Sequence, residues 1–492
     1  NFMRDIIKLR GYLMLPDELI NHFMFVKQFI IENYQLLLGS QVLINSASQD
    51  IAMTIRFTYE QDRLKGEKLF DNVKELFDSD ENMRIVAIII MTSIVDCFKE
   101  PLLHLTFTEK TNCISEFKRK YLHIFANIVS PLIRDGNGLI LCSSLNLLLH
   151  CFEFCDNKTT VSTVVYPVEY STYFSSSEII TRIFELCFVQ ETSSISYGIL
   201  FYMAAASGIW NSDYSNKNNF FNFFTNSMIQ IISSQDQDSN FIGQTCRILN
   251  VLSQNLEPNI FFQQDFSQNF LNSALQFSGI VFELAEPAYL QNIFNFWGTI
   301  SNWRLDSELM KPITETMVHL ILSFFDATLN SISQNGQHWL TLFQTDFDNY
   351  GFDPIWKIAN NCYKQVYEII YDKITSKASE NPANLLQLAF IVNVITSRFG
   401  KDIGSGNDEY ILKIHGPVFS LIEQTTPLIK QILANDPAGI VFENSIVLFM
   451  DNYQRINLSG TRLPPTKIQN PQIAIQMEKK QNNINIFASR IL

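Results

Sequence analysis

Along residues 381–400 the apolar positions Leu385, Leu388, Val392, Ile395 and Phe399 recur at three- and four-residue spacing, which marks one face of an α-helix. The ends of that helix are marked too. Asn381 is placed to cap it, Pro382 has no amide hydrogen to lose in the first turn, and Gly400 tolerates the left-handed conformation that ends a helix. The same spacing puts Leu141, Leu145, Leu148, Leu149 and Phe152 on one stripe, and Ile446, Phe449, Met450 and Tyr453 on another. Ser175 and Glu178 read as a capping box that opens a helix running to Gln190. Residues 83–98 are apolar on more than one side, the pattern of a helix sandwiched between neighbours. Polar connectors such as DGNG at 135–138 separate these segments, and the spacing predicts about twenty helices joined by short loops.

A single core does not grow to nearly 500 residues. Stacked helical hairpins of ~40–47 residues, each touching only its neighbours, avoid that limit. The expected fold is therefore all-α, an α-α superhelix of HEAT-repeat or armadillo-like hairpins over residues 1–492. Two stretches break the rhythm and read as extended inter-repeat loops. One spans about 155–175 and contains TTVSTVVYPVEYSTYF (159–174); the other is NLSGTRLPPTKIQNPQ (457–472), whose adjacent prolines forbid a helix interior. In the first, Pro167 biases Tyr166 away from helical geometry, and Tyr166, Tyr170, Tyr173 and Phe174 are expected to pin the segment onto adjacent helices.

Composition supports this reading. Of 492 residues, 47% are hydrophobic and 13% aromatic, so a large core can be buried. Gly (18) and Pro (15) stand at roughly half of average usage, too few for the turns of a sandwich or barrel. Unbroken apolar runs such as IVAIIIM at 85–91 are well short of a membrane span, so no membrane insertion is expected. The chain does not open with Met and reads as a piece of a longer protein. Its eight cysteines lie mostly in apolar helical segments without CxxC pairing, as small core residues of a reducing compartment. A net charge of -13 disfavours nucleic acid and anionic membranes and favours basic protein surfaces.

Catalytic signatures are missing from the sequence: no Walker loop, no G-x-S-x-G, no HExxH and no GxGxxG. No enzyme activity, cofactor or metal is expected. His150, Cys151 and Cys155 share a helical face, but no second ligand pair lies nearby, so the thiols read as core. FFNFFTNSM at 220–228 likewise reads as core. One cluster is a candidate protein-binding surface: Asp71, Glu75, Asp78, Asp80 and Glu81, offset only by Lys74 and Arg84.

The segment LILCSSLNLLLHCFEFC (139–155), then a polar loop, then VVYPVEYSTYFSSSEIITRIFELCF (164–188) resembles the exportin-7 branch (Ran-binding protein 16/17) of the importin-β superfamily of nuclear export receptors. In that branch a helix with a Phe-rich end leads into an extended segment and a short helix. The likeness continues in order. Residues 21–51 resemble paired helices, 56–71 the connector that follows, and 280–303 a helix pair carrying Trp297; 385–400 and 442–460 resemble two later helices. Tyr170 departs from the family, which usually has Trp there. The resemblance implies the central part of a longer HEAT-repeat karyopherin that shuttles between nucleus and cytoplasm. Such a receptor binds cargo proteins together with GTP-bound Ran, contacts Phe-Gly repeats of nucleoporins in the pore, and catalyses nothing. The alternative is a HEAT-repeat scaffold or adaptor unrelated to Ran.

Overall fold

The computed structural model describes residues 11–99, 105–156, 164–206, 214–234, 238–284 and 286–303, with isolated positions between 312 and 323. Among the described residues there are fifteen α-helices and no strand, which is the expected all-α helical repeat. The chain divides into two compact units, 1–231 with 254–257 and 232–253 with 258–492.

In the first unit, α1 (Pro16–Leu38) and α2 (Gln41–Gln61) make one hairpin, and α3 (Arg63–Phe77) and α4 (Glu81–Lys99) the next. Then α5 (Phe107–Phe117) runs through a π-helical turn (Lys118–Leu122) into α6 (His123–Asp135), which pairs with α7 (Gly138–Cys155). After the short α8 (Ser171–Ser175), α9 (Ser177–Leu186) pairs with α10 (Ser193–Ala204), and α11 (Tyr214–Ile232) follows. The second helices form a layer of their own, with α2 against α4, α4 against α7 and α7 against α10. This is why α4 is apolar all round: Met83, Val86, Ile88, Met91, Val95 and Phe98 are all buried.

Cross-helix contacts fix the register of that layer. The Arg56 guanidinium donates to the Cys97 carbonyl, 41 residues on. Asp96 meets His150 at 2.6 Å and Lys99 meets Glu153 at 3.0 Å, each 54 residues apart. Leu149 packs on Gly198. The first three pairs join carboxyl-terminal ends, so α2, α4 and α7 run parallel; Leu149 and Gly198 meet near mid-helix, and Glu191, just before α10, is felt by Cys142 near the start of α7, which sets α10 in the same direction. The hairpin between α4 and α7 exceeds the expected repeat length because it houses α5 and the π turn.

The second unit contains α12 (Ser239–Asn255) up to Ser253, α13 (Pro258–Phe261), α14 (Ser267–Leu284) and α15 (Pro287–Ser301). The last two form a hairpin, and α12 is tied to α15 by Asn250 and Asn292, 2.9 Å apart and 42 residues on. Trp297 is fully buried, and its indole N–H donates to Ser278 Oγ at 2.9 Å.

Several expectations hold at the residue level. Leu141, Leu145, Leu148 and Phe152 are buried on α7, as are Phe220, Phe221, Phe224 and Met228 on α11, and the connector after Asp135 is short. Among the described residues one helix, α7, is long and apolar enough to cross a membrane, with mean hydropathy 1.6; here its apolar side chains pack against α4, α6 and α10. Helices expected at 381–400 and around Phe449, and the loop at 457–472, lie outside the described residues.

Three expectations are corrected. Only residues 164–167 of the first loop are described as extended, with Val164 bridging to Ala206; from Val168 the chain turns through a 3-10 turn (Val168–Tyr170) into α8. The capping box at Ser175 does not form. Ser176 caps α9 by accepting from Ile179 N–H, Ser175 donates back to the Ser171 carbonyl, and the helix ends at Leu186 rather than Gln190. Finally, 56–71 is no connector but the end of α2 and the start of α3, hinged at Asp62, which leaves helical geometry (φ -144°, ψ 98°) and accepts from Lys65 N–H.

Candidate protein-interaction surface

The five acidic residues are all exposed, yet the fold gives them different work. Asp71 and Glu75 lie one turn apart on α3, Asp78 follows its last residue, and Asp80 and Glu81 stand at the start of α4. Glu75 meets Lys27 of α1 at 3.1 Å, and Lys27 also donates to Asn72. Asp80 accepts from Met83 N–H at 2.9 Å and thereby caps α4, while Glu81 sits in the first turn, where the helix dipole favours an anion. Asp71 and Asp78 make no ion pair among the described residues. The run is therefore contiguous in sequence but broken by a turn into two parts, of which 78–81 projects from the end of a hairpin.

The aromatic segment that stood out in the sequence is a core feature. Phe152 on α7 is ringed by Tyr166, Tyr170, Tyr173 and Phe174, with centroids 5.0 to 6.1 Å away. The Tyr166 hydroxyl donates to the Tyr202 carbonyl at 3.0 Å and the Tyr173 hydroxyl donates to the Ala126 carbonyl, so the segment is fastened to α10 and α6 as well. The expected pinning by these four aromatics is what the structure displays.

Cys151 and Cys155 are fully buried, and burial holds both thiols in the protonated form, pushing Cys155 up to about 11. Among the described residues no group of three His, Cys, Asp or Glu side chains could hold a metal ion. Cys362 lies outside them.

Sequence reasoning missed the Arg56–Glu60 pair, 3.0 Å apart and almost entirely buried within α2. Burial outweighs the attraction of Arg56 and pushes the Glu60 carboxyl up to about 7. The sign of it in the sequence is RFTYE, two opposite charges one turn apart inside an otherwise apolar helix end. No protein-family model matches the chain, and no curated protein matches it.

Proposed function

We propose that the protein is part of a helical-repeat nuclear export receptor, which binds cargo protein together with GTP-bound Ran and carries it through the pore by contacts with Phe-Gly nucleoporins. It shuttles between nucleus and cytoplasm and acts by binding, without catalysis. The observation that supports this reading is the order of parts around α7. A helix with a Phe-rich end is followed by the extended 164–167 segment, an aromatic-pinned turn and the short helix α9, set between stacked hairpins. That order is the one in which the sequence resembles the exportin-7 branch. The stacked layer also suits the role, because a series of similar helix interfaces lets small rotations add up to a change of pitch.

The test is a pull-down of the full-length protein on immobilised Ran at low salt with candidate cargo present. Ran loaded with a non-hydrolysable GTP analogue should retain it at least about tenfold better than Ran loaded with GDP, a difference that corresponds to about 1.4 kcal/mol. Equal retention would refute the transport reading and leave a helical-repeat scaffold or adaptor unrelated to Ran.

A further inference from the structure

The parallel register of the stacked layer gathers the amino-terminal ends of α2, α4, α7 and α10 along one edge of the first unit. Pairing of Arg56 with Cys97 sets the start of α2 beside the start of α4. The pairs Asp96–His150 and Lys99–Glu153 set the start of α4, near Arg84, at the level of the start of α7, Gly138. Leu149 packs on Gly198 and the charge of Glu191 is felt by Cys142, which sets the turn before α10, with Phe188 and Val189, on the same side as the start of α7.

Bulky apolar side chains stand in water along this edge. Val42 is 74% exposed, Leu139 52% and Phe188 50%, with Leu43 and Val189 also exposed beside them. Between the two apolar groups lies the turn with Asp78, Asp80 and Glu81, and Glu191 stands at the far end, all exposed. The two arginines of the edge do not neutralise these acids: Arg134 pairs with its neighbour Asp135 at 2.8 Å, and Arg84 lies over the Phe77 ring and donates to the Phe77 carbonyl. The edge is thus apolar, acidic and apolar in succession.

We propose that this edge is a docking surface for an amphipathic basic helix of a partner protein. Helix axes in a packed layer lie about 8–10 Å apart, so four of them span roughly 25–30 Å, the length of a helix of about 20 residues. Such a helix places apolar side chains on Leu139 and Phe188 and on Val42, and lysine or arginine over the acidic turn, so that apolar burial supplies affinity and charge supplies orientation and encounter rate. The surface follows from helix register and does not depend on the transport reading.

The probe is a fluorescein-labelled 20-residue peptide of Leu and Lys patterned at three-four spacing, titrated against the full 492-residue chain. A scrambled peptide of the same composition, with no apolar face, serves as the reference. The patterned peptide should bind at least about tenfold more tightly than the scrambled one. The double variant Leu139→Ser, Phe188→Ser should weaken the patterned peptide by about tenfold and leave the scrambled one unchanged. Phe25→Ser with Phe29→Ser, also exposed but on α1, should change neither. All these side chains are exposed, so thermal melts should coincide with that of the parent chain. The proposal is overturned if the patterned peptide does not bind, if it binds no better than the scrambled one, if the edge variant retains affinity within twofold, or if the α1 variant loses as much.

Discussion

Glu60 shows how one residue can be read against its surroundings. Its carboxyl is 3.0 Å from Arg56, which alone would hold it ionised, but burial wins and raises it to about 7. Tyr59, Arg63 and Cys113 crowd the same corner, where burial pushes the Tyr59 phenol up to about 12 and the Cys113 thiol up to about 11. The folded protein therefore holds a proton on Glu60 that the unfolded chain releases near its ordinary pH. That contribution to stability is fully present below about pH 4.5 and is lost as pH rises through about 7. In urea denaturation between pH 5 and 8, the parent chain should lose stability with rising pH relative to Glu60→Gln, by about 2 kcal/mol over the range. A pH-independent difference between the two would contradict this. At this scale the sequence was partly legible. Ser175 and Ser176 offer the same hydroxyl to the start of α9, and only the turn of α8 before them decides that Ser176 faces the helix and Ser175 faces back. The charged pair in RFTYE was visible, but its burial depends on α4 and α5, far along the chain.

Elements meet where small residues allow it. Gly66 in α3 lies so close to α2 that a Cβ placed there would sit 2.5 Å from the Tyr59 Cα and 2.8 Å from its nitrogen. Backbone cannot give way as a side chain can. Gly66→Ala should therefore destabilise the first unit by about 2 kcal/mol or more, even though alanine favours a helix interior by about 1 kcal/mol over glycine. Chemical denaturation measures the net sign, and a stabilised variant would show that the hinge at Asp62 can open at little cost. The periodicity of apolar residues made the helices and their hairpins readable, because it is a local property of each segment. Register was not readable: it rests on pairs 41 and 54 residues apart, such as Arg56 with Cys97 and Asp96 with His150, which no local pattern encodes. For the same reason the acidic run looked like one patch, although a turn divides it and Lys27 and the start of α4 claim two of its members.

For the whole molecule, stacked hairpins imply that stability is a sum of local and nearest-neighbour contributions. Damage in one hairpin should stay near it. Trp297→Ala removes the largest fully buried side chain of α15 together with its bond to Ser278, a loss of about 3–5 kcal/mol. Hydrogen exchange should then show amides of α14 and α15 losing at least about tenfold in protection while those of α2 and α4 keep theirs. Uniform loss across both units would argue for one cooperative core instead. The charge of -13 acts on the same scale, since it favours basic partners at long range and makes their binding sensitive to salt.

The π turn at Lys118–Leu122 carries a consequence in terms of insertions and deletions. A π turn holds one residue more than an α-helical turn, and one residue corresponds to about 100° of rotation about the helix axis. With that residue in place, α5 directs Glu116 to Arg63 and sets Cys113 into the corner by Glu60, while α6 keeps Phe125, Val129 and Ile133 in the core. Deleting Arg119 would return the joint to an ordinary α-helix and swing all of α5 round by a quarter turn or more, leaving α6 in phase and turning the buried Cys113 and Phe117 out of their places. Length in this segment is under tighter physical constraint than residue identity.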